Sequence, residues 1–347
     1  MTSYRNAAIS FPMLGDWFSV NPNPDISIFG FTFHWYGVII AIGFILAVWY
    51  CSRRCREFGI TQDDLIDMLI AAVPLAIIGA RAYYVIFNYS LYRDNFVDVF
   101  KIWEGGLAIY GGVIFAVIGV AVVCRVKKLS FGAMLDVGSF GLLIGQSVGR
   151  WANFVNREAF GRTTDIFCRM GFTLEGHSTV YVHPTFLYES LWNLVGFIAL
   201  HIISKKTRRK YDGQYFLYYL GWYGLGRMMI EGLRTDSLYL FSTSIRVSQL
   251  LAGVCLLVVL IVLFINRCFR YHDEEKLWVN RRAAMAASAG SPDTAAEAAG
   301  SVSEPEEVVA ADPAISIIPS TLADDEIVDK PVVEPIDVVL HDSDADE

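Results

Sequence analysis

The chain has 347 residues, of which 54% are hydrophobic, 14% aromatic and only 18% charged, with a formal net charge of −8. A soluble globular domain carries about a quarter charged residues. Runs such as WYGVIIAIGFILAVWYC and LLAGVCLLVVLIVLFI hold no charge over most of the ~20 residues a membrane-crossing helix needs. A water-soluble enzyme and a nucleic-acid binder are therefore excluded, and because an open sheet edge cannot survive in lipid the spans must be helices.

The acidic total is local. Ala283–Glu347 holds 16 Asp and Glu against Lys330 alone, so this stretch carries −15 and the stretch 1–282 carries +7. The fold class expected is an all-α polytopic membrane protein with about seven transmembrane helices, a small outer cap segment and a disordered acidic C-terminal tail. The stretch 1–282 forms the membrane domain, with the outer cap at 151–184, and 283–347 forms the tail, which has no periodic apolar face.

Hydropathy places span starts near Trp35, Leu65, Gly106, Ala133, Thr185, Tyr215 and Ser248. Arg53, Arg54 and Arg56 follow the first span, and Arg125, Lys127 and Lys128 the third. Lys205, Lys206, Arg208, Arg209 and Lys210 follow the fifth. Arg267, Arg270, Lys276, Arg281 and Arg282 follow the seventh, so 16 of the 28 Lys and Arg come after odd-numbered spans. The positive-inside rule then predicts an outside amino terminus and a cytoplasmic carboxyl terminus. Of six cysteines, five lie in spans or at their basic ends and Cys168 stands alone in an apparent outer loop, which implies no disulfide. Six histidines without ligand spacing imply no metal, and no cofactor is expected.

The second span contains Arg81. The fourth runs through LDVGSFGLLIGQSVG into GRWANFVNREAFGR, which places Arg150, Asn153, Asn156, Arg157, Glu158 and Arg162 on the outer side, where topology asks for no positive charge. GQSVG matches the G-x-S-x-G elbow of serine hydrolases, but that elbow needs a strand, a turn and a helix; inside a helical run Ser147 reads as a packing residue. The sixth span reads YFLYYLGWYGLGRMMIEGLRTD. At 100° per residue, Tyr223, Arg227, Glu231 and Arg234 fall at roughly 0°, 40°, 80° and 20°, on one narrow stripe. Holding Arg81, Arg150, Arg227 and Glu231 deep in a bilayer would cost on the order of 10 kcal/mol. An Arg227–Glu231 clasp could offset part of that, but the excess of arginine favours an anionic guest, and guanidinium forks grip phosphate bidentately.

GRWANFVNREAFGR resembles the signature of the prolipoprotein diacylglyceryl transferases, with Gly149, Arg150, Asn153, Phe154, Asn156, Glu158 and Gly161 in order. HWYG at His34–Gly37, GGLAIYGG at Gly105–Gly112, HPTFLYE at His183–Glu189 and YGLGRMMIEGLR from Tyr223 follow the same family's sequence of motifs. The resemblance spans roughly Phe11 to Asn266 and leaves out the tail. It implies a multi-pass enzyme of the bacterial cytoplasmic membrane that moves the diacylglyceryl group of phosphatidylglycerol to the lipobox cysteine thiol of a preprolipoprotein, releasing glycerol 1-phosphate. The substrate supplies the nucleophile, so no Ser or Cys of the enzyme is needed. On this reading Arg150 and Arg227 bind the phosphate and stabilise the leaving group, and Glu231 orients Arg227. Asn153, Asn156 and Glu158 bond glycerol hydroxyls or hold Arg150, and Tyr36 and Tyr223 donate to ester or phosphate oxygens. Arg81, Gly161 and His183 complete the substrate site. Tyr110 stands where many members carry His, and with a phenol pKa near ~10 it is a poor base at neutral pH; the thiol proton is left to His183, Glu158 or water. An anion transporter is the alternative, disfavoured by the absence of an evident inverted repeat.

Overall fold

The computed structural model describes residues 4–288 except 5, 16, 29–30, 94, 236–245 and 270–271, and the acidic tail from 289 onward lies outside the described residues. Eight α-helices follow in chain order among them: α1 Trp35–Arg54, α2 Gln62–Phe87, α3 Ile109–Val126, α4 Phe131–Asn156, α5 Thr185–Lys206, α6 Gln214–Glu231, α7 Val247–Cys268 and α8 Trp278–Ser288. The seven predicted spans coincide with α1–α7. Six of these are long and apolar enough to cross a membrane; α6, which carries Arg227, Glu231 and several tyrosines, is not among the six. Helix α8 carries regular structure past residue 282, where the sequence predicts the tail to begin.

Local chemistry sets several boundaries. Thr61 and Asp64 form a reciprocal capping box that opens α2. Gly213, at φ +93°, lets the chain turn into α6. The fully buried Asp136 accepts from the backbone N–H of Gly213 at 2.8 Å and Phe216 at 3.0 Å. Arg209 pairs with the same carboxylate at 3.2 Å, so a buried charge is both capped and neutralised. Helix α4 is the hub, packing on α1, α5 and α6, while α2 pairs with α3 and α6 with α7. Helices α2 and α3 cross so closely that a Cβ on Gly111 would stand 2.3 Å from the Gly79 carbonyl oxygen, the small-residue approach common between membrane helices. Large apolar side chains stay exposed on the outer faces, including Ile45, Ile70, Ile86 and Phe264. Such a surface suits lipid rather than water.

The end of the helices away from their basic termini is not purely helical. A four-stranded antiparallel sheet in the order β2-β1-β5-β6 combines β1 (Ala8–Ser10), β2 (Ser19–Val20), β5 (Met170–Thr173) and β6 (Val180–Val182). A hairpin of β3 (Asp25–Ile28) and β4 (Phe31–His34) leads into α1. Ile9 pairs with Phe172, and these two bury with Ala7, Val182 and Phe186. The cap thus draws on the amino-terminal segment as well as on 151–184, and the latter stretch begins inside α4, which runs to Asn156. Arg157 closes α4 in the left-handed region at φ 53°. Its guanidinium donates to the Ala7 carbonyl at 2.7 Å, to Asn21 Oδ1 at 2.5 Å and to the Pro22 carbonyl at 2.9 Å, which pins the amino-terminal segment to the end of α4.

Candidate active site

Glu189, one turn into α5, is the meeting point of three arginines. Its Oε2 lies 2.5 Å from Arg150 Nη2, and its Oε1 lies 3.1 Å from Arg234 Nη1 and 3.5 Å from Arg227 Nη1. Arg227 also pairs with Glu231 at 2.7 Å, one turn on along α6. Both carboxylates are nearly sealed, Glu189 at 6% exposure and Glu231 at 2%. Among the described residues, three arginines against two glutamates leave this cluster at +1. The side chains of Arg150 and Arg227 keep 23% and 20% of their surface open, against 10% for Arg234, so the surplus charge faces outward through the first two.

The helices that carry the cluster are locked together. Ser147 on α4 donates to the Ser190 carbonyl at 3.0 Å, and Ser190 returns a bond to the Ser147 carbonyl at 2.8 Å. Ser147 is therefore the packing residue its helical setting predicts. Trp192 on α5 and Trp222 on α6 stack at 4.3 Å between centroids, and each indole N–H donates to the other's backbone carbonyl. Gly196 and Gly226 make room for these rings; a Cβ on Gly226 would sit 2.2 Å from Trp192 Nε1. Gly226 immediately precedes Arg227, so the tryptophan pair sets the depth at which that guanidinium meets Glu189. On α4, Gln146 lies one turn before Arg150 and donates to Tyr219 of α6 at 2.9 Å.

Arg234 arrives by a different route from the one its spacing suggests. Helix α6 ends at Glu231, so the helical stripe stops short of it. Gly161 instead forms an antiparallel bridge with Arg234. Around it, Arg162 N donates to the Leu233 carbonyl at 2.8 Å and Gly161 N to the His183 carbonyl at 2.9 Å. A side chain at Gly161 would meet His183 Cβ at 2.6 Å and the Leu233 carbonyl oxygen at 3.0 Å. The close approach of three backbone segments requires a glycine at this position.

The other predicted residues divide. Asn153 and Asn156 both turn to Glu158, donating to Oε1 at 2.9 Å and 3.5 Å, which makes a second polar group just beyond Arg150 on α4. The partner that holds Arg150 is Glu189, not these three. Arg81 is a correction. It is buried, and its five N–H groups go to the backbone carbonyls of Asp98, Val99, Lys101, Gly105 and Gly106. A guanidinium so saturated has no donor for a phosphate; it shapes the loop that enters α3. Gly106, at φ +72°, lies against it, with a Cβ position 2.5 Å from Arg81 Nη1. Tyr110 and Tyr36 stand in the first turns of α3 and α1 with exposed rings whose hydroxyls bond nothing among the described residues. Tyr223 stacks on Tyr219 one turn before Arg227. His183 Nδ1 is 3.4 Å from the Tyr188 hydroxyl, which is 3.5 Å from Cys168 Sγ, and burial holds the imidazole below its ordinary value. Glu189 is absent from the residues that sequence reasoning assigns to the site, although an acid inside an apolar span is itself a functional signal.

Comparison with known proteins bears on the same residues. The profile of the family described as Prolipoprotein diacylglyceryl transferase matches residues 25–265. A phosphatidylglycerol–prolipoprotein diacylglyceryl transferase of Streptococcus equi subsp. equi is 43% identical over 237 residues, 67% of this chain and 90% of its own length. The protein of that name from Lactiplantibacillus plantarum is 44% identical over 252 residues, 71% of this chain and 88% of its own. The one from Clostridium botulinum is 45% identical over 247 residues, 68% and 94%. The region matched by the profile holds nearly all of α1–α7 and every residue of the arginine–glutamate cluster, and by this extent and identity the chain belongs to the prolipoprotein diacylglyceryl transferase family.

Proposed function

We propose that this protein is a multi-pass transferase of the bacterial cytoplasmic membrane that moves the diacylglyceryl group of phosphatidylglycerol to the cysteine thiol of a preprolipoprotein lipobox. The thiolate sulfur attacks the glyceryl carbon that bears the phosphate. A C–S bond forms, the C–O bond breaks, and its electron pair leaves on glycerol 1-phosphate. The thiol proton passes to His183, Glu158 or water before or during attack, and nearby positive charge lowers the thiol pKa.

The observation that carries this reading is the pair of partly open guanidinium groups, Arg150 and Arg227, joined through one buried carboxylate. A phosphodiester has a charge of −1, which the open faces of Arg150 and Arg227 can meet, and further negative charge develops on the leaving oxygen as the C–O bond breaks. Pre-placed donors at that position act where water is excluded and need no reorganisation. Glu189 and Glu231 are positioning residues that hold the forks at a fixed separation. Asn153, Asn156 and Glu158 supply polar groups at the outer end of α4 for glycerol hydroxyls, with Tyr223 and Tyr36 towards the ester oxygens. The cluster sits at the end of the helices away from their basic termini, which argues for reaction on the outer side, with the amino terminus outside and the carboxyl terminus in the cytoplasm.

The test is phosphatidylglycerol-dependent lipidation of a lipobox peptide by purified Arg150→Ala and Arg227→Ala proteins. Each is expected to lose at least about a hundredfold in rate. Near wild-type rates in both overturn the assignment.

A further inference from the structure

The face opposite the arginine–glutamate cluster has a cavity of its own. It occupies about 370 Å³ between the end of α3, the start of α4 and α8. Arg125, Lys128 and Arg281 line it, and none of its lining residues is acidic. All three cations are exposed, and none has a carboxylate partner among the described residues. Their immediate neighbours behave differently: Lys127 pairs with Asp64 and Asp67, and Arg282 pairs with Asp64. Positive-inside topology requires basic residues on this side. It does not require three of them to converge unpaired on one cavity while the adjacent two are neutralised.

The walls are built to hold this shape. Lys128 sits in the left-handed region at φ 57°, a conformation unusual for a non-glycine residue, where the chain reverses between α3 and α4. Leu129 N donates to the Cys124 carbonyl at 2.8 Å and fastens the turn. Across the cavity, Trp278 donates its indole N–H to the Gly59 carbonyl at 2.9 Å, and the Arg281 guanidinium lies 5.8 Å from its ring centre. Gly59, at φ +74°, allows α8 this close, since a Cβ there would stand 2.7 Å from Val279 Cα. The apolar side of the cavity, at Ala121 and Phe131, continues onto the outer surface of α3, where Val122 and Val126 are exposed.

We propose that this cavity binds the phosphate headgroup of an anionic phospholipid from the leaflet on the basic side of the helices, with the acyl chains lying along α3. Free phosphate meets the same three cations but leaves the adjoining apolar face of α3 uncovered; a lipid satisfies both. The bound anion bridges α8 to the α3–α4 turn. Phe131, at the cavity, and Arg150 stand at opposite ends of α4. More than five helical turns separate them, roughly 28 Å along the axis. This is therefore a second site, and it does not rest on the proposed reaction.

Native mass spectrometry on delipidated full-length protein in a zwitterionic detergent, titrated with phosphatidylglycerol, phosphatidylcholine or inorganic phosphate, reads the site directly. Wild type is expected to hold one more phosphatidylglycerol than Lys128→Ala/Arg281→Ala. Each cation removed weakens that adduct about fivefold, and the pair roughly 25-fold. Arg150→Ala retains the adduct, which separates this site from the proposed active site, and phosphatidylcholine forms none. Arg125→Gln, a single change at an exposed position, provides an independent variant with the same fivefold expectation. Equal adduct number and affinity in wild type and both variants overturn the site. Inorganic phosphate binding as tightly as the lipid overturns the lipid as its source. Zero-length carbodiimide coupling of Lys128 to a carboxylate in the stretch 289–347 at saturating lipid puts the chain's own acidic tail in the cavity and overturns the lipid likewise.

Discussion

Glu189→Gln alters one charge at the point where three guanidinium groups meet, with almost no change in volume. The wild-type cluster of Arg150, Arg227, Arg234, Glu189 and Glu231 sums to +1; the amide raises it to +2. A phosphate on the open faces of Arg150 and Arg227 lies roughly 5–6 Å from the Glu189 carboxylate, and at an effective dielectric of about 20 their repulsion is ~3 kcal/mol. Both arginine side chains are about a fifth exposed, so water screens part of this. A net gain of ~1.4 kcal/mol, or about tenfold tighter phosphate binding, follows. Catalysis moves the other way. The amide keeps a single acceptor oxygen, so its NH2 faces either Arg150, which then loses its 2.5 Å partner, or Arg227 and Arg234, which then lose theirs. A displacement of about 1 Å at a positioned group costs roughly a hundredfold in rate. The variant therefore binds the product better and turns over more slowly. Lipidation of a lipobox peptide in nanodiscs containing phosphatidylglycerol, with glycerol 1-phosphate as inhibitor, measures both quantities. An inhibition constant unchanged from wild type, together with kcat within about threefold, refutes the role assigned to Glu189.

Arg150→Lys keeps the charge but cannot present a fork to Glu189 and a phosphate together; kcat is expected to fall roughly 10²- to 10³-fold, and a rate above half of wild type contradicts bidentate use. Gly226→Ala drives a methyl group into Trp192 and should cost ~1–3 kcal/mol of stability, seen as a lower unfolding temperature in detergent; wild-type stability would show that the Trp192–Trp222 stack does not set the α5–α6 contact. Burial depresses the His183 pKa, so the folded cap binds fewer protons than the unfolded chain. Its stability is full above the ordinary value of about 6.5 and declines as pH falls through it towards the folded value. His183→Gln should remove that acid limb, which sets in as pH falls through about 6.5. Parallel plots of unfolding temperature against pH for the two proteins refute the assignment.

Of the expected architecture, the long helices were legible and the cap was not. Span starts expected near Trp35, Leu65, Gly106, Ala133, Thr185, Tyr215 and Ser248 fall within one turn of the helices observed to begin at Trp35, Gln62, Ile109, Phe131, Thr185, Gln214 and Val247. The strands leave little trace in the sequence, because β1, β2 and β6 are very short and become a sheet only when Ile9 meets the distant Phe172. Polar residues crowd GRWANFVNREAFGR and give it the look of a loop. Helix α4 nevertheless continues to Asn156 and uses its last two turns to aim Arg150 inward. Arg81 misleads for the converse reason: an arginine in a span signals a buried demand for acceptors, and here five backbone carbonyls meet it.

Features that are local or periodic could be read along the chain. Charge-free runs, a one-sided excess of Lys and Arg and an i,i+4 Arg227–Glu231 pair on α6 follow from hydropathy and helix geometry, and each needs only neighbours in sequence. Which arginines share a carboxylate is a matter of packing. Glu189 is remote in sequence from Arg150, Arg227 and Arg234. Only the packing of α4 and α6 on α5, with the Gly161–Arg234 bridge, brings the three within reach of it. Burying a carboxylate is unfavourable unless cations surround it, and no one-dimensional pattern encodes where those cations will come from.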